Sequence, residues 1–328
     1  VARDLHALPK AHLHVHLEST VRPDTLRELA EANGVAPPTR VDGFAGFRAF
    51  ADHNALIRAI PRRPEDFERI AREFCADEVA QGVGYAEVTF TAASHGERLG
   101  QLDMPLAAVL RGLAAGSAAT GLEYRVLLDH SRRQSVDRAW RTLELALRYA
   151  DQGVIGIGMA GDESYPLAPF AGVCAAAERE GLHRVHHAGE AAGPESIREA
   201  LTLGRTERLG HAIRILDDPE LVTEVAALGV PLEVCPSSNV ALGFAPSWPE
   251  HPLPRLREAG LVVTLNTDIP VSSAATLTGE YEMAGKSFGY SDEVLAELAL
   301  ASVAASFAPE RTKRRLRAGI AHWLAQDR

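Results

Sequence analysis

Cysteine is scarce: Cys75, Cys174 and Cys235 are the only three in 328 residues. They are far apart, odd in number and form no CxxC. This argues against a disulfide framework and a cysteine-ligated zinc site, and it suits a reducing cytoplasm. No run of about 18 or more apolar residues occurs, and the opening VARDLHALPK carries charge, so neither a membrane span nor a signal peptide is expected. Basic charge is in deficit, with 34 lysines and arginines against 44 aspartates and glutamates and a net charge of −10. That balance argues against a nucleic-acid backbone or an anionic membrane as the main partner, although a site can be locally positive for a small anion. Low-complexity tracts, repeats and Ser/Gly linkers are absent too.

What is present is an alternation of short β-prone runs with longer alanine- and arginine-rich stretches. Strands are expected at 11–17, 85–90, 124–129, 154–159, 182–187, 208–211, 231–235 and 261–267. Helices are easier to place. PEDFERIAREFCADEVAQG has Pro64 in its first turn and stops at Gly82, with Phe67, Ile70, Ala71, Phe74, Cys75 and Val79 on one face. SVDRAWRTLELALRYADQG and LAPFAGVCAAAEREG end at Gly153 and Gly181 in the same way. Alternating βα units with about eight strands predict an α/β fold, a closed (β/α)8 TIM barrel forming a single domain over 1–328. A doubly wound open sheet is second, weakened because no GxGxxG follows the first strand. Two C-terminal helices, in SDEVLAELALASVAASF and PERTKRRLRAGIAHWLAQ, are expected as additions outside the barrel. The irregular stretches 33–43 and 237–254 read either as loops over a site or as ordinary surface connections.

The chemistry concentrates at strand ends. His14 and His16 lie two apart near the end of the first strand, so their rings project to the same side. His187 closes another strand three residues before Glu190. His211 and Asp268 each end a later one. In a barrel these ends surround a single mouth, and imidazole with carboxylate selects a borderline divalent ion, zinc first. Each piece has a plainer reading: an isolated HxH pair fits a half-buried strand, Glu190 fits the acid before a helix, and Gly161–Glu163 fits a turn. His12 shares parity with His14 and His16 but is expected to lie deeper, packed or hydrogen-bonded, His183 and His186 to be structural, and Arg132 and Arg133 to be solvated. Surface or structural roles are put ahead of pocket lining for His53 and His95.

With these motifs in order along nearly the whole chain, the sequence resembles the adenosine deaminase family of metal-dependent amidohydrolases. The matching segments are LPKAHLHVHLE, GVGYAEVTF, VIGIGMAGDE, HHAGE, LGHAI, PLEVCPSSN and HPLPRLREAGLVVTLNTD. The resemblance implies one Zn2+ per chain, bound by His14, His16, His187 and Asp268. It implies Glu190 as the acid that protonates purine N1, and His211, with Asp268, as the groups that orient or deprotonate the water. Gly161 would offer backbone to the purine, and Glu18 stands where the family has an acid on a ribose hydroxyl. Two departures bear on substrate. Ile269 follows Asp268 where the family has a second acid that bonds purine N7, and Ser19 replaces a glycine.

The expected function is therefore zinc-dependent deamination of a small-molecule aminopurine nucleoside, adenosine or a close derivative, to the 6-oxo product and ammonia. Adenine, aminofutalosine or a ring altered near N7 is the alternative. On this reading Ile269→Asp should raise adenosine turnover if the isoleucine merely removes a contact. A two-metal amide, lactone or phosphoester hydrolase is a different reading, disfavoured because 154–162 and 182–190 contain no lysine to bridge metals. A non-catalytic barrel is the third. Oligomeric state is not legible.

Overall fold

The computed structural model describes residues 3–39, 41 and 43–326. Arg40 and Asp42, inside the irregular 33–43 stretch, lie outside the described residues, as do Val1, Ala2, Asp327 and Arg328. Eight strands form one sheet in sequence order: β1 Lys10–His16, β2 Val83–Phe90, β3 Glu123–Ser131, β4 Val154–Ala160, β5 His183–Ala188, β6 Arg208–His211, β7 Leu232–Val234 and β8 Val263–Leu265. Every neighbouring pair is parallel, and a parallel bridge between Val15 and Asp268 brings the last strand back to the first. The helices lie between strands and on the outside. This is a (β/α)8 TIM barrel with a C-terminal extension.

Parallel strands of a barrel are buried on both faces, and here one parity is apolar while the other carries the polar groups of the barrel interior. Accordingly Ala11, Leu13 and Val15 of β1 are fully buried, and so are Val126 and Leu128 of β3. The helix Pro64–Ala80 follows its sequence signals: proline in the first turn and Asp66 accepting the N–H groups of Arg62 and Arg63 at 2.9 and 3.1 Å. Its buried face carries Phe67, Ile70 and Phe74.

The seam of the barrel departs from a regular ladder, and this changes two expectations. First, β7 and β8 are only three residues long. After Leu265 the side chain of Asn266 takes over, its Oδ1 accepting from Leu13 N–H at 2.9 Å and His14 N–H at 3.1 Å. Second, the register of β1 slips between His12 and Val15. His12 therefore does not share a face with His14 and His16. Its Nδ1 bonds Glu78 of the Pro64–Ala80 helix at 2.8 Å, and Nε2 meets Thr267 Oγ1 at 3.0 Å.

Of the two expected C-terminal helices, Asp292–Ala305 packs on β1 and β8, so it covers the seam as part of the helical ring, and Glu310–Ala325 packs on it. The chain between them turns under the barrel, where Phe307 N–H donates to Glu87 at 2.6 Å. Among the described residues, no helix is long and apolar enough to cross a membrane.

Candidate active site

At the C-terminal ends of the strands, β1 supplies His14 and His16, β5 supplies His187, β6 supplies His211, and the turn after β8 supplies Asp268. His14, His187, His211 and Asp268 each bring one donor atom within 4.8 Å of all the others. His16 joins them: its Nε2 is 3.2 Å from His187 Nε2 and 3.3 Å from Asp268 Oδ1. His14 Nε2 is 3.5 Å from that same oxygen. Two metal bonds of about 2.1 Å at a tetrahedral angle hold their donor atoms roughly 3.4 Å apart. The spacings fit one divalent cation, and the nitrogen and oxygen donor set suits zinc. His14 Nε2 is also buried with no hydrogen-bond partner, an expensive arrangement for a protein that offers it nothing.

The backbone is strained at two of these positions. His211 and Asp268 adopt left-handed φ values of 62° and 60°, which costs energy for residues other than glycine and persists where surrounding structure enforces it. Asp268 is held by backbone bonds on both sides, N–H to His14 O at 3.0 Å and carbonyl from His16 N–H at 2.9 Å.

A second layer aims the first, and sequence reasoning missed it. His14 Nδ1 donates to Glu233 at 2.8 Å, which leaves Nε2 as the acceptor facing the cluster. Ser238 Oγ donates to Asp268 Oδ2 at 2.6 Å, and Asn239 Nδ2 donates to His211 Nδ1 at 3.3 Å. Ser238 and Asn239 come from the 237–254 stretch, which thus does reach the site. The one signal in the sequence was Glu233, an acid in the middle of a barrel strand, within the PLEVCPSSN segment.

Glu190 is 5 % exposed, and its Oε1 has no hydrogen-bond partner; His211 Nδ1 lies 3.6 Å away. Burial pushes its carboxyl well above the ordinary range, and the charges of Asp268 and Glu163 add to the effect. It does not cap the next helix, which begins at Pro194 with Gly193 as N-cap. Burial pushes His211 down to about 3, the neutral imidazole.

The adenosine deaminase family model matches residues 9–323. A putative adenosine/adenine deaminase from Streptomyces virginiae is 37 % identical over 98 % of both chains. The chain belongs to the adenosine deaminase family. Among solved structures, the adenine deaminase from Arthrobacter aurescens superposes with a TM-score of 0.92 at 30 % identity, covering 97 % of this chain and 99 % of its own. The N6-mAMP deaminase of Arabidopsis gives 0.86 at 27 %, covering 97 % and 99 %. As a member of the adenosine deaminase family, the chain is a metal-dependent hydrolase that deaminates a purine ring.

The remaining positions singled out by the family resemblance fall as follows. Glu18 is buried beside the cluster, but its Oε1 already accepts from Thr91 N–H at 3.0 Å and meets His95 Nε2 at 3.2 Å. Burial opposes its ionisation, yet the His95 bond and the Arg58 charge outweigh that and bring it to about 2. His95 is thus structural, stacked on Phe90. Asp129, unremarked in the sequence, lies near the end of β3 with Oδ2 3.6 Å from His16 Nδ1 and Oδ1 unpartnered. Gly161 has φ +88°, and a Cβ there would meet Ser131 Oγ at 2.7 Å, so backbone alone fits. Ile269 packs in an apolar cluster with Phe50 and Leu242. Ser19 and His53 line a separate cavity of about 610 Å³, between the helices Pro23–Ala32 and Pro64–Ala80, to which none of the cluster residues contributes. Arg132, expected in solvent, is 3 % exposed and bonded to the His187 carbonyl.

Proposed function

We propose that this deaminase acts on a neutral 6-aminopurine, free adenine before adenosine, as one barrel unit carrying one zinc per chain. His14, His16, His187 and Asp268 would hold the metal. The observation that carries the reading is the convergence of these four donors, with Glu190 and His211, on one buried point. When bound, zinc supplies the Lewis acidity that makes water nucleophilic near neutral pH.

The protein groups account for the rest of the reaction. Glu190 passes its proton to the ring nitrogen next to the amine-bearing carbon, so that the ring accepts the electrons of the attacking water. His211, whose Nδ1 accepts from Asn239 and whose Nε2–H therefore points to the cluster, orients the water, and Asp268 takes its proton. Asp268, with one oxygen fixed by Ser238, lies on the path by which that proton reaches the departing amine. The carbon–oxygen bond forms, the carbon–nitrogen bond breaks, and ammonia and the 6-oxo purine leave.

The acids beside the cluster favour a neutral substrate. Glu18 and Asp129 are both buried, and a phosphate nearby would meet two carboxyl groups in a medium that screens charge poorly. Glu18 Oε1 is taken by Thr91 and His95 while its Oε2 is buried without a partner; what favours the free base is the likeness to the Arthrobacter adenine deaminase. Ile269 offers the ring no hydrogen-bonding group. The three cysteines are free and buried, in keeping with a cytoplasmic location.

The test is ammonia release by the zinc-loaded chain from adenine, adenosine, deoxyadenosine, aminofutalosine and N6-methyl-AMP. Adenine should give the highest kcat/KM and the nucleotide the lowest. No release from any aminopurine would overturn the reading, and preference for the nucleotide would overturn the argument from Glu18 and Asp129.

A further inference from the structure

The turn that follows β5, residues 187–191, carries both His187 and Glu190, and two oppositely charged buried side chains grip its backbone. Glu163, after β4, accepts three consecutive N–H groups: Gly189 at 2.7 Å on one oxygen, and Glu190 and Ala191 at 2.9 Å each on the other. Arg132, after β3, donates from Nη2 to the His187 carbonyl at 2.5 Å and from Nη1 to Ser196 Oγ at 3.2 Å. Both are nearly solvent-free, at 7 % and 3 % exposure. Hydrogen bonds of this kind, with one partner charged, are about twice as strong as neutral ones. The path of the turn is further constrained at Gly189, where φ is +72° and a Cβ would lie 2.4 Å from Ile197 Cδ1.

The carboxyl of Glu190, by contrast, is not held by its own contacts. Its Oε1 has no partner, and His211 is 3.6 Å away. Its position must therefore be inherited from the backbone beneath it. A proton donor has to reach its acceptor within hydrogen-bond distance, and a displacement of about 1 Å can cost roughly 100-fold in rate.

We propose that Glu163 and Arg132 are positioning residues for proton delivery, clamping the 187–191 backbone from both sides so that the Glu190 carboxyl meets the purine ring nitrogen. The clamp rests on the reading of Glu190 as the ring acid. Glu163 also lends its negative charge to the neighbourhood, which favours the protonated form that Glu190 needs.

The experiment compares zinc-loaded Glu163→Gln, Arg132→Lys and Glu190→Gln with wild type, using adenine and the more electron-poor 8-azaadenine. Glu163→Gln keeps the volume but turns an amide N–H₂ toward backbone donors. Its kcat on adenine should fall roughly 10- to 100-fold with KM changed less than about threefold. Zinc content should stay at one per chain. The deficit should shrink on 8-azaadenine, whose ring needs less help from a proton. Arg132→Lys, which keeps charge but loses the fork, should repeat the pattern more weakly, and it carries the test if Glu163→Gln does not fold.

A fall in melting temperature with kcat intact would reduce the clamp to a structural role and overturn the proposal. So would an equal deficit on both substrates, or lost zinc. If Glu190→Gln itself deaminates adenine normally, the ring-acid reading fails first. If Glu190→Gln is inactive while Glu163→Gln and Arg132→Lys are normal, the clamp alone fails.

Discussion

The two ends of the barrel interior treat buried charge in opposite ways. At the closed end, Arg208 is 1 % exposed and fully engaged: it pairs with Glu87, donates to Glu233 at 2.6 Å and to Ala305 O at 3.0 Å, and stacks on Phe307. Glu87 also takes Tyr85 OH at 3.0 Å and Phe307 N–H at 2.6 Å. At the mouth, His14 Nε2, His211 Nε2, Glu190 Oε1, Glu18 Oε2 and Asp129 Oδ1 are buried with no partner. A satisfied buried network adds rigidity, whereas unsatisfied groups are a standing cost that a bound metal and substrate would remove. The ends are joined, because Glu233 touches Arg208 with one oxygen and His14 with the other.

This contrast makes separable predictions. Glu190→Gln should lower adenine turnover by about 10²- to 10⁴-fold while leaving melting temperature unchanged or raised. Ammonia release and a thermal melt on the same sample check both halves. Arg208→Met should do the reverse, costing about 3–5 kcal/mol of stability in urea unfolding because Glu87 and Glu233 lose their counter-charge in the core. Equal stability losses at the two ends would break the comparison.

Glu280 sharpens it. It is a buried acid of the helix Leu277–Phe288 whose Oε2 accepts from Ser237 N–H at 3.3 Å, with Oε1 unpartnered and its carboxyl raised by burial from the ordinary 4.5 to about 8. Between those values the unfolded chain gives up a proton that the folded chain keeps. Its contribution to stability is therefore complete below pH 4.5 and is lost as pH rises toward about 8. Glu280→Gln does not titrate, so it should remove a slope of roughly 1 kcal/mol per pH unit across that window. Melts at several pH values measure it, and parallel curves would refute the assignment. The smallest effect is expected from Ile269→Asp. The new carboxylate would sit among Phe50 and Leu242, so a loss of roughly 2 kcal/mol is expected in place of a gain in turnover.

The sequence revealed the strands because short β-prone runs with apolar alternate residues stand out between amphipathic helices. Most observed strands begin and end close to where the runs predicted, and His14, His16, His187 and His211 fall at or near strand ends, while Asp268 lies in the turn past the end of β8. The shortness of β7 and β8 and the facing of His12 were not visible; at the seam between β8 and β1 the Asn266 side chain stands in for backbone ladder, a contact that only closure creates. Arg132 looked solvated because a charge after a strand usually is. Its partner, the His187 carbonyl, is 55 residues away. Ser19 looked like part of the mouth because it neighbours Glu18, yet it faces the separate cavity.

Local pattern alone therefore determined the eight βα units and which side chains stand at strand ends, since periodicity and residue type act within a few positions along the chain. Closure of the sheet decided which of those side chains meet, that Glu233 orients His14, and that Glu163 and Arg132 grip the turn beneath Glu190. Hydrogen bonds and charge interactions depend on separations of a few ångströms, and only the closed barrel brings residues scores of positions apart to those separations.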